Sequence, residues 1–314
     1  MTATPETRYA RSADGTNLAY QVTGDGPLDL VFVHGSGIPI DLLSEEPGFI
    51  RLRKRLGTFS HTVWFDLGGH GASEGDPRGS LAGEVFDADL IAVLEAVGFK
   101  RPALVGEGAS GGTVIHFSVT HAERVSALVL VNGYAHYVRE DDYPWGIPRE
   151  SINRFVASFK DGWGTAHALE VLAPSRTADG QFRARYARSE RFSVGPDQVA
   201  ANVRAGLEDD VRPLLPAISV PTLVLHREGN RFIRLGAGRY LAEHISKARF
   251  VVLPGEDHLF FVGDTDGLMD EIEEFLTGAR SGAEGEVAMA AVLFTDIVGS
   301  TAHQARVGHG SGPA

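Results

Sequence analysis

Apolar residues along this chain come in short runs, separated by longer stretches where they recur at helical spacing. Leu28–Val33 is a nearly continuous apolar run, the pattern of a strand covered by helices on both faces. His61–Asp66, Ala103–Val105, Ala127–Val131, Thr222–His226 and Ala248–Leu253 are further strand candidates. Two earlier segments, around Tyr9 and over Leu18–Val22, flank the hairpin pair Asp14-Gly15. Val85, Ile91, Leu94 and Val97 predict a helix over Leu81–Val97, and Phe49, Leu52 and Leu56 predict one before it. Others are predicted from the Gly-rich turn 106–112 to about His121, over Gly236–Ile245, and over Gly267–Leu276, where Gly278 stops the helix. Alternation of this kind predicts an α/β fold, with a mostly parallel central sheet flanked by helices.

The alternation breaks between Asn132 and Val220. That stretch is rich in Arg, aromatic and turn residues and too long for a loop in a compact domain. It predicts an inserted helical cap over 132–220, with the core formed by 1–131 and 221–278. Residues 279–286 read as a linker of small residues and Glu, and 287–314 as a separate stump and tail that opens on the apolar run Val287–Thr295.

Composition narrows the function classes. The chain has 314 residues, 43% of them hydrophobic, enough to bury a substantial core. A formal net charge of −12 makes nucleic acid a poor partner in the absence of a basic patch. Arg51, Arg53, Lys54 and Arg55 fall on a predicted helix and read as its solvated face. The absence of cysteine excludes disulfides, thiolate nucleophiles and Cys-bound metals. Met1–Arg11 is polar, unlike a signal peptide, and no apolar run approaches the ~20 residues of a membrane helix. The expectation is a soluble, cytoplasmic protein without metal or cofactor, for which a homodimer is an allowed assembly.

Chemistry-bearing residues concentrate in turns at the ends of the predicted strands. These turns are His34-Gly35-Ser36-Gly37, Asp66-Leu67-Gly68-Gly69-His70-Gly71-Ala72-Ser73, Gly106-Glu107-Gly108-Ala109-Ser110-Gly111-Gly112, and Leu253-Pro254-Gly255-Glu256-Asp257-His258. Each alone reads as a tight turn. The third lacks the Lys of a phosphate-binding loop. In the second, Asp66 and Ser73 are placed to fix the loop by local hydrogen bonds.

Together these turns make residues 8–278 resemble the N-terminal domain of bacterial α/β-hydrolase–adenylyl cyclase fusion proteins. Ala19–Pro27, Ala122–Val125, Gly238–Ile245, Val262–Thr265 and Asp270–Phe275 add to the likeness. The tail Leu293–Thr301 is similar to the first strand of class III nucleotide cyclases, where the aspartate matching Asp296 binds catalytic metal. On the order of a hundred further residues would be needed for a typical domain, so no cyclase activity is expected from this stump.

The resemblance implies an α/β-hydrolase fold and a serine-type mechanism acting on esters or lactones. In that fold a strand ends in Gly-x-nucleophile-x-Gly and turns sharply into a helix. Two registers fit here. In one, Gly106 leads and Gly108 occupies the nucleophile position, where relatives commonly have serine. In the other, Gly108 leads and Ser110 is the nucleophile. The first is preferred because the strand then ends at Val105, whereas the second drives it through Glu107 and buries a carboxylate. The resemblance further implies oxyanion donors at Ser36 N–H and Ala109 N–H, and a general base at His258. The acid is expected near Glu228-Gly229-Asn230-Arg231, where Asn230 holds the place of an aspartate and Glu228 is the alternative. The other location, after the sixth strand, also holds an amide, Asn132. An Asn can hold an imidazole but cannot stabilise its cation. Cap aromatics, among them Tyr134, Tyr137, Tyr143, Trp145, Phe155, Phe159 and Trp163, would form the pocket for a small apolar ester or lactone. As written, Gly108 predicts a silenced or impaired hydrolase. The alternative is a natural pseudohydrolase that binds a ligand or regulates a cyclase.

Overall fold

The computed structural model describes residues 5–35, 37–76 and 83–279. Ser36, the stump from residue 287 onward and all of the predicted linker except Ala279 lie outside them. Along the chain run β1 (Arg8–Arg11), β2 (Asn17–Thr23), β3 (Leu28–His34), α1 (Ile40–Leu43), α2 (Pro47–Leu56), β4 (Ser60–Phe65), α3 (Gly83–Val97), β5 (Ala103–Glu107), α4 (Ser110–Thr120) and β6 (Ala127–Val131). Then follow α5 (Ile152–Gly162), α6 (Leu169–Leu172), α7 (Gly180–Ser193), α8 (Pro196–Glu208), β7 (Thr222–Arg227), α9 (Leu235–His244), β8 (Ala248–Leu253) and α10 (Thr265–Thr277).

Among the described residues the eight strands form one sheet in the order β1-β2-β4-β3-β5-β6-β7-β8. β1 and β2 join antiparallel, and every pairing from β4 to β8 is parallel. The reason lies in the strand sequences. Successive side chains point to opposite faces, and the central strands are apolar at both. Val31 and Val33 of β3 pack into one core with Phe86 and Leu90 of α3, Ile115 of α4 and Leu241 of α9. Leu30 and Phe32 pack into the other with Phe49 and Leu52 of α2 and Met269 and Ile272 of α10. At the end of α10, Gly278 adopts φ 76°, closing the helix as its sequence predicts.

Two details differ from the sequence expectation. β5 does not stop at Val105 but continues through Gly106 and Glu107. Gly106 permits this because a Cβ there would meet Ser110 O at 2.9 Å, so α4 lies directly on the strand. The basic run on α2 is not a solvated face throughout. Arg53 is buried and donates to Ser44 Oγ, and Arg55 reaches Asp270 and Glu273 on α10. Long Arg stems cover apolar surface while the heads find polar partners, a hydroxyl for Arg53 and carboxylates for Arg55.

The stretch between β6 and β7 adds no strand to the sheet. It carries α5 to α8, with α5 and α8 packed on each other. It is anchored to the loop after β8, where the N–H groups of His258 and Leu259 both donate to Leu172 O at the end of α6.

Candidate active site

The site forms where β5, β6, β7 and β8 release their chains at the same edge of the sheet. After Glu107 the backbone turns at Gly108 with φ 58°, a left-handed conformation that L side chains rarely adopt. Gly108 N–H donates to Val131 O, and Gly111 N–H closes back on Gly108 O. Ala109 and Ser110 then start α4, whose first N–H groups have no partner within the helix. Gly35 crosses so close that a Cβ on it would stand 2.7 Å from Glu107 O and 3.0 Å from Ala109 N. Only glycine allows this approach.

His258 faces this turn. A Cβ built on Gly108 lies 2.8 Å from His258 Nε2. The ring is buried, and burial, with His226 and Arg227 nearby, pushes its pKa down to about 3. It is therefore neutral at physiological pH, and the position of its one proton matters. Asn230 decides it. Asn230 Oδ1 accepts from Phe232 N (3.0 Å) and Ile233 N (3.1 Å), so its amide cannot turn around without abandoning two backbone donors. Its Nδ2 therefore faces His258 Nδ1, 3.1 Å away, and must donate. His258 carries its proton on Nε2, the nitrogen that faces position 108. In this state it offers a donor there, not a base.

Glu107 also approaches this nitrogen. Its carboxyl is fully buried, with Oε1 3.5 Å from His258 Nε2 and Oε2 accepting from Gly35 N at 3.0 Å. Desolvation raises its pKa to about 8, against the opposing effects of Gly35 N–H and the Arg227 charge. With Glu107 protonated and His258 neutral, the two do not form an ion pair at pH 7. The burial that argued against running β5 through Glu107 is met by protonation and one backbone hydrogen bond.

Asn132 ties the arrangement together. Held at φ 51°, it accepts from Arg227 N at 3.0 Å and donates to His258 O at 2.8 Å. Arg227 in turn donates from Nη1 to Asp257 O and Leu259 O. The loop after β4 is fixed as its sequence predicts. Asp66 accepts from Ile40 N and Ala72 N, and Ser73 Oγ donates to Asp66 O.

Above the turn is an apolar cavity lined by Gly35, Ala109, Ser110 and His258 and walled by aromatic side chains of the β6–β7 stretch. Tyr134, Tyr137, Phe155, Phe159 and Trp163 line it, joined by Tyr186 and Phe232. Tyr143 and Trp145 do not. They pack against each other and Tyr240, away from the cavity.

The profile of the α/β hydrolase fold matches residues 58–265. The chain belongs to the α/β-hydrolase-fold family. A pimeloyl-[acyl-carrier protein] methyl ester esterase from Chromobacterium violaceum is 30% identical over 266 residues, covering 83% of this chain and 98% of its own. Among solved structures, the enol-lactonase from Burkholderia xenovorans LB400 aligns with a TM-score of 0.71 at 22% identity, covering 86% of this chain and all of its own. The esterase from Exiguobacterium antarcticum aligns with a TM-score of 0.74 at 17% identity, over 86% and 99% of the two chains. At those identities the structural likeness speaks for the fold alone.

Within this α/β-hydrolase, the residues singled out from sequence separate clearly. Gly108, Ala109, His258 and Asn230 come together. Glu228 does not join them, because its side chain is exposed beyond the end of β7 while Asn230 turns inward. Ser110 Oγ is fully buried at the start of α4 and, among the described residues, has no hydrogen-bond partner, His258 included. The pattern missed the parts played by Glu107 and Asn132. Nothing in the local sequence reports which way an amide or a carboxyl at a strand end will face.

Proposed function

We propose that this chain is a hydrolase for small, uncharged esters or lactones whose serine-type machinery is incomplete at two places, position 108 and position 230. The observation that carries this reading is the approach of the Gly108 Cβ position to His258 Nε2, at a backbone angle suited to a nucleophile turn. In the completed site, a serine at 108 attacks the acyl carbon and gives its proton to His258 Nε2. The N–H of Ala109 holds the developing oxyanion, with Ser36 N–H proposed as the second donor although it lies outside the described residues. Water then releases the acyl group. The aromatic walls suit an apolar acyl or alcohol portion.

The test is turnover of a panel of p-nitrophenyl esters and lactones by Gly108→Ser, with and without Asn230→Asp. An aspartate at 230 can keep one oxygen on Phe232 N and Ile233 N and offer the other to His258 Nδ1–H. That moves the imidazole proton to Nδ1 and frees Nε2 to act as base. Strong turnover by the double variant supports the reading, and its absence across the panel rejects it. A second reading, a pseudohydrolase that binds ligand without turnover, is favoured by the amide that pins the wrong tautomer. It predicts tight binding of an apolar ester with none hydrolysed by any of these variants.

A further inference from the structure

We propose that the cavity reads a secondary amide, with the Tyr134 hydroxyl as donor and the Asn202 side-chain oxygen as acceptor, and so selects esters or lactones whose apolar portion carries one. The proposal rests on the hydrolase reading above and names its substrate class. Both residues line the cavity that His258 also lines. Tyr134 follows β6 at the root of the helical stretch, and its hydroxyl lies against α8, 3.9 Å from a Cβ built on Gly206. Gly206 lines the cavity too, and Tyr134 is only half-buried, so its hydroxyl is within reach of what fills that space. It makes no hydrogen bond among the described residues. Tyr137, by contrast, spends its hydroxyl on Phe232 O, and Tyr186 stands on α7, where Glu190 and Glu107 act on it. Burial raises the Tyr134 pKa, so the group remains a donor.

The acceptor follows from the partner of Asn202. His70, in the loop after β4, holds Nδ1 3.0 Å from Gly68 O. A carbonyl only accepts, so Nδ1 carries the proton. Burial lowers the His70 pKa, so the ring is neutral at pH 7 and Nε2 accepts. Asn202 Nδ2 donates to it at 3.0 Å, which leaves Asn202 Oδ1 as an acceptor without a partner among the described residues. Val199, Asn202, Val203, Gly206 and Leu207 line the cavity, at the spacing of a single helix face. The donor at Gly206 and the acceptor at Asn202 are thus anchored one turn apart, ~6 Å along α8, on a wall that is otherwise apolar.

A secondary amide matches that wall. Its C=O and N–H lie on opposite edges, and burying it is costly unless both are met. Here the C=O accepts from Tyr134 and the N–H donates to Asn202. A charged group has no such welcome. Among the described residues no Lys or Arg lines the cavity, and its carboxylate, Asp66, is engaged by Ile40 N and Ala72 N. Ala109, Ser110 and His258 bound the same cavity at the turn, so the ester is the reacting group and the amide the recognised one, within one molecule.

Titration calorimetry on the unmodified chain tests this. The ligands are the methyl esters of N-hexanoyl glycine, N-hexanoyl-β-alanine and N-hexanoyl-4-aminobutyrate, which set the amide progressively farther from the ester, and methyl alkanoates of equal chain length. Tyr134→Phe is expected to weaken the best-bound amide ester about 3–10-fold, the range of one neutral hydrogen bond, and to leave its alkanoate unchanged. The hydroxyl bonds nothing in the described protein, so the urea midpoint of the variant should hold. An analogue with an ester oxygen in place of the amide N–H keeps the carbonyl and loses the donor. It should bind the unmodified chain about 3–10-fold more weakly than the amide and remain sensitive to Tyr134→Phe. No binding of any amide ester, an amide affinity indifferent to Tyr134→Phe, equal weakening of amide and alkanoate, or an N–H-free analogue that binds as tightly as the amide overturns the proposal. Binding needs no turnover, which separates the two readings. Tyr134-dependent binding without hydrolysis by the Gly108→Ser, Asn230→Asp variant supports the amide site and removes the hydrolase reading. Hydrolysis by that variant, with binding indifferent to Tyr134, does the reverse.

Discussion

The two sides of the His258 ring are built differently. On the Nδ1 side Asn230 is fully engaged, its oxygen on two backbone N–H groups and its nitrogen on the ring. On the Nε2 side stand a glycine with no side chain and a buried carboxyl with one oxygen that makes no hydrogen bond among the described residues. The first side is rigid and satisfied, and the second holds chemistry in reserve. A single amide in a saturated hydrogen-bond network sets the proton of the imidazole, and that setting decides what the other side can do. The glycine at 108 and the amide at 230 thus both bear on one ring.

The comparison breaks most visibly through turnover. Gly108→Ser alone should gain little, because its hydroxyl meets an N–H. Adding Asn230→Asp should raise kcat by about 10⁴, the size of the tautomer effect known for a triad aspartate. Equal turnover of the single and double variants would show that Asn230 does not control the ring.

Stability against pH separates the two sides next. Glu107 loses its proton near 4.5 when unfolded and near 8 in the fold. Between those values the native state holds a proton that the unfolded chain has released, so stability falls as pH rises through that window. Glu107→Gln should lessen this fall, leaving the part due to Asp66, which burial raises to about 7, measured as urea midpoints from pH 5 to 8. The imidazoles act in the opposite sense. Burial lowers His34 and His226 to about 4 and His258 to about 3, from 6.5. The unfolded chain binds their protons first, so stability falls as pH drops from 6.5 toward 4. A flat stability curve across both windows would contradict these environments.

A smaller effect is expected at the turn itself. Gly108→Ala places a Cβ at φ 58° against His258. It should cost roughly 1–3 kcal/mol, the usual range for a non-glycine residue held in that region, measurable by chemical denaturation. The smallest effect is predicted for Glu228→Gln, whose side chain is exposed. It should change stability by less than about 0.5 kcal/mol and leave the turnover of the Gly108→Ser, Asn230→Asp variant unchanged. A loss of turnover there would restore Glu228 as the acid.

Much of this was legible along the chain because it depends on local pattern. Strand positions followed from apolar runs, and Gly106, Gly108 and His258 announced themselves by standing where strands end. Gly35 and Gly106 could be read as tight turns, although the close approach of each to β5 or α4 could not. Glu107 was misjudged for a definite reason. Residue type assigns a carboxylate a charge, and a charge does not belong inside a sheet. Protonation removes that cost, but it depends on Gly35 and on burial by distant elements. Arg55 was misread in the same way, since its partners Asp270 and Glu273 lie on α10, far along the chain.

The sequence by itself determined the alternation of strand and helix, the parallel core, the long helical insertion and the glycine at position 108. Those features are encoded in periodicity and residue type, which act over a few neighbours at a time. Only the tertiary structure decided that Asn230 rather than Glu228 meets His258, that the amide donates rather than accepts, and that Glu107 and position 108 both approach Nε2. Each of these depends on which polar atoms are brought within about 3 Å of one another in a site that excludes water. The direction of a hydrogen bond and the charge of a buried group are set by that enclosure, not by the residues' names.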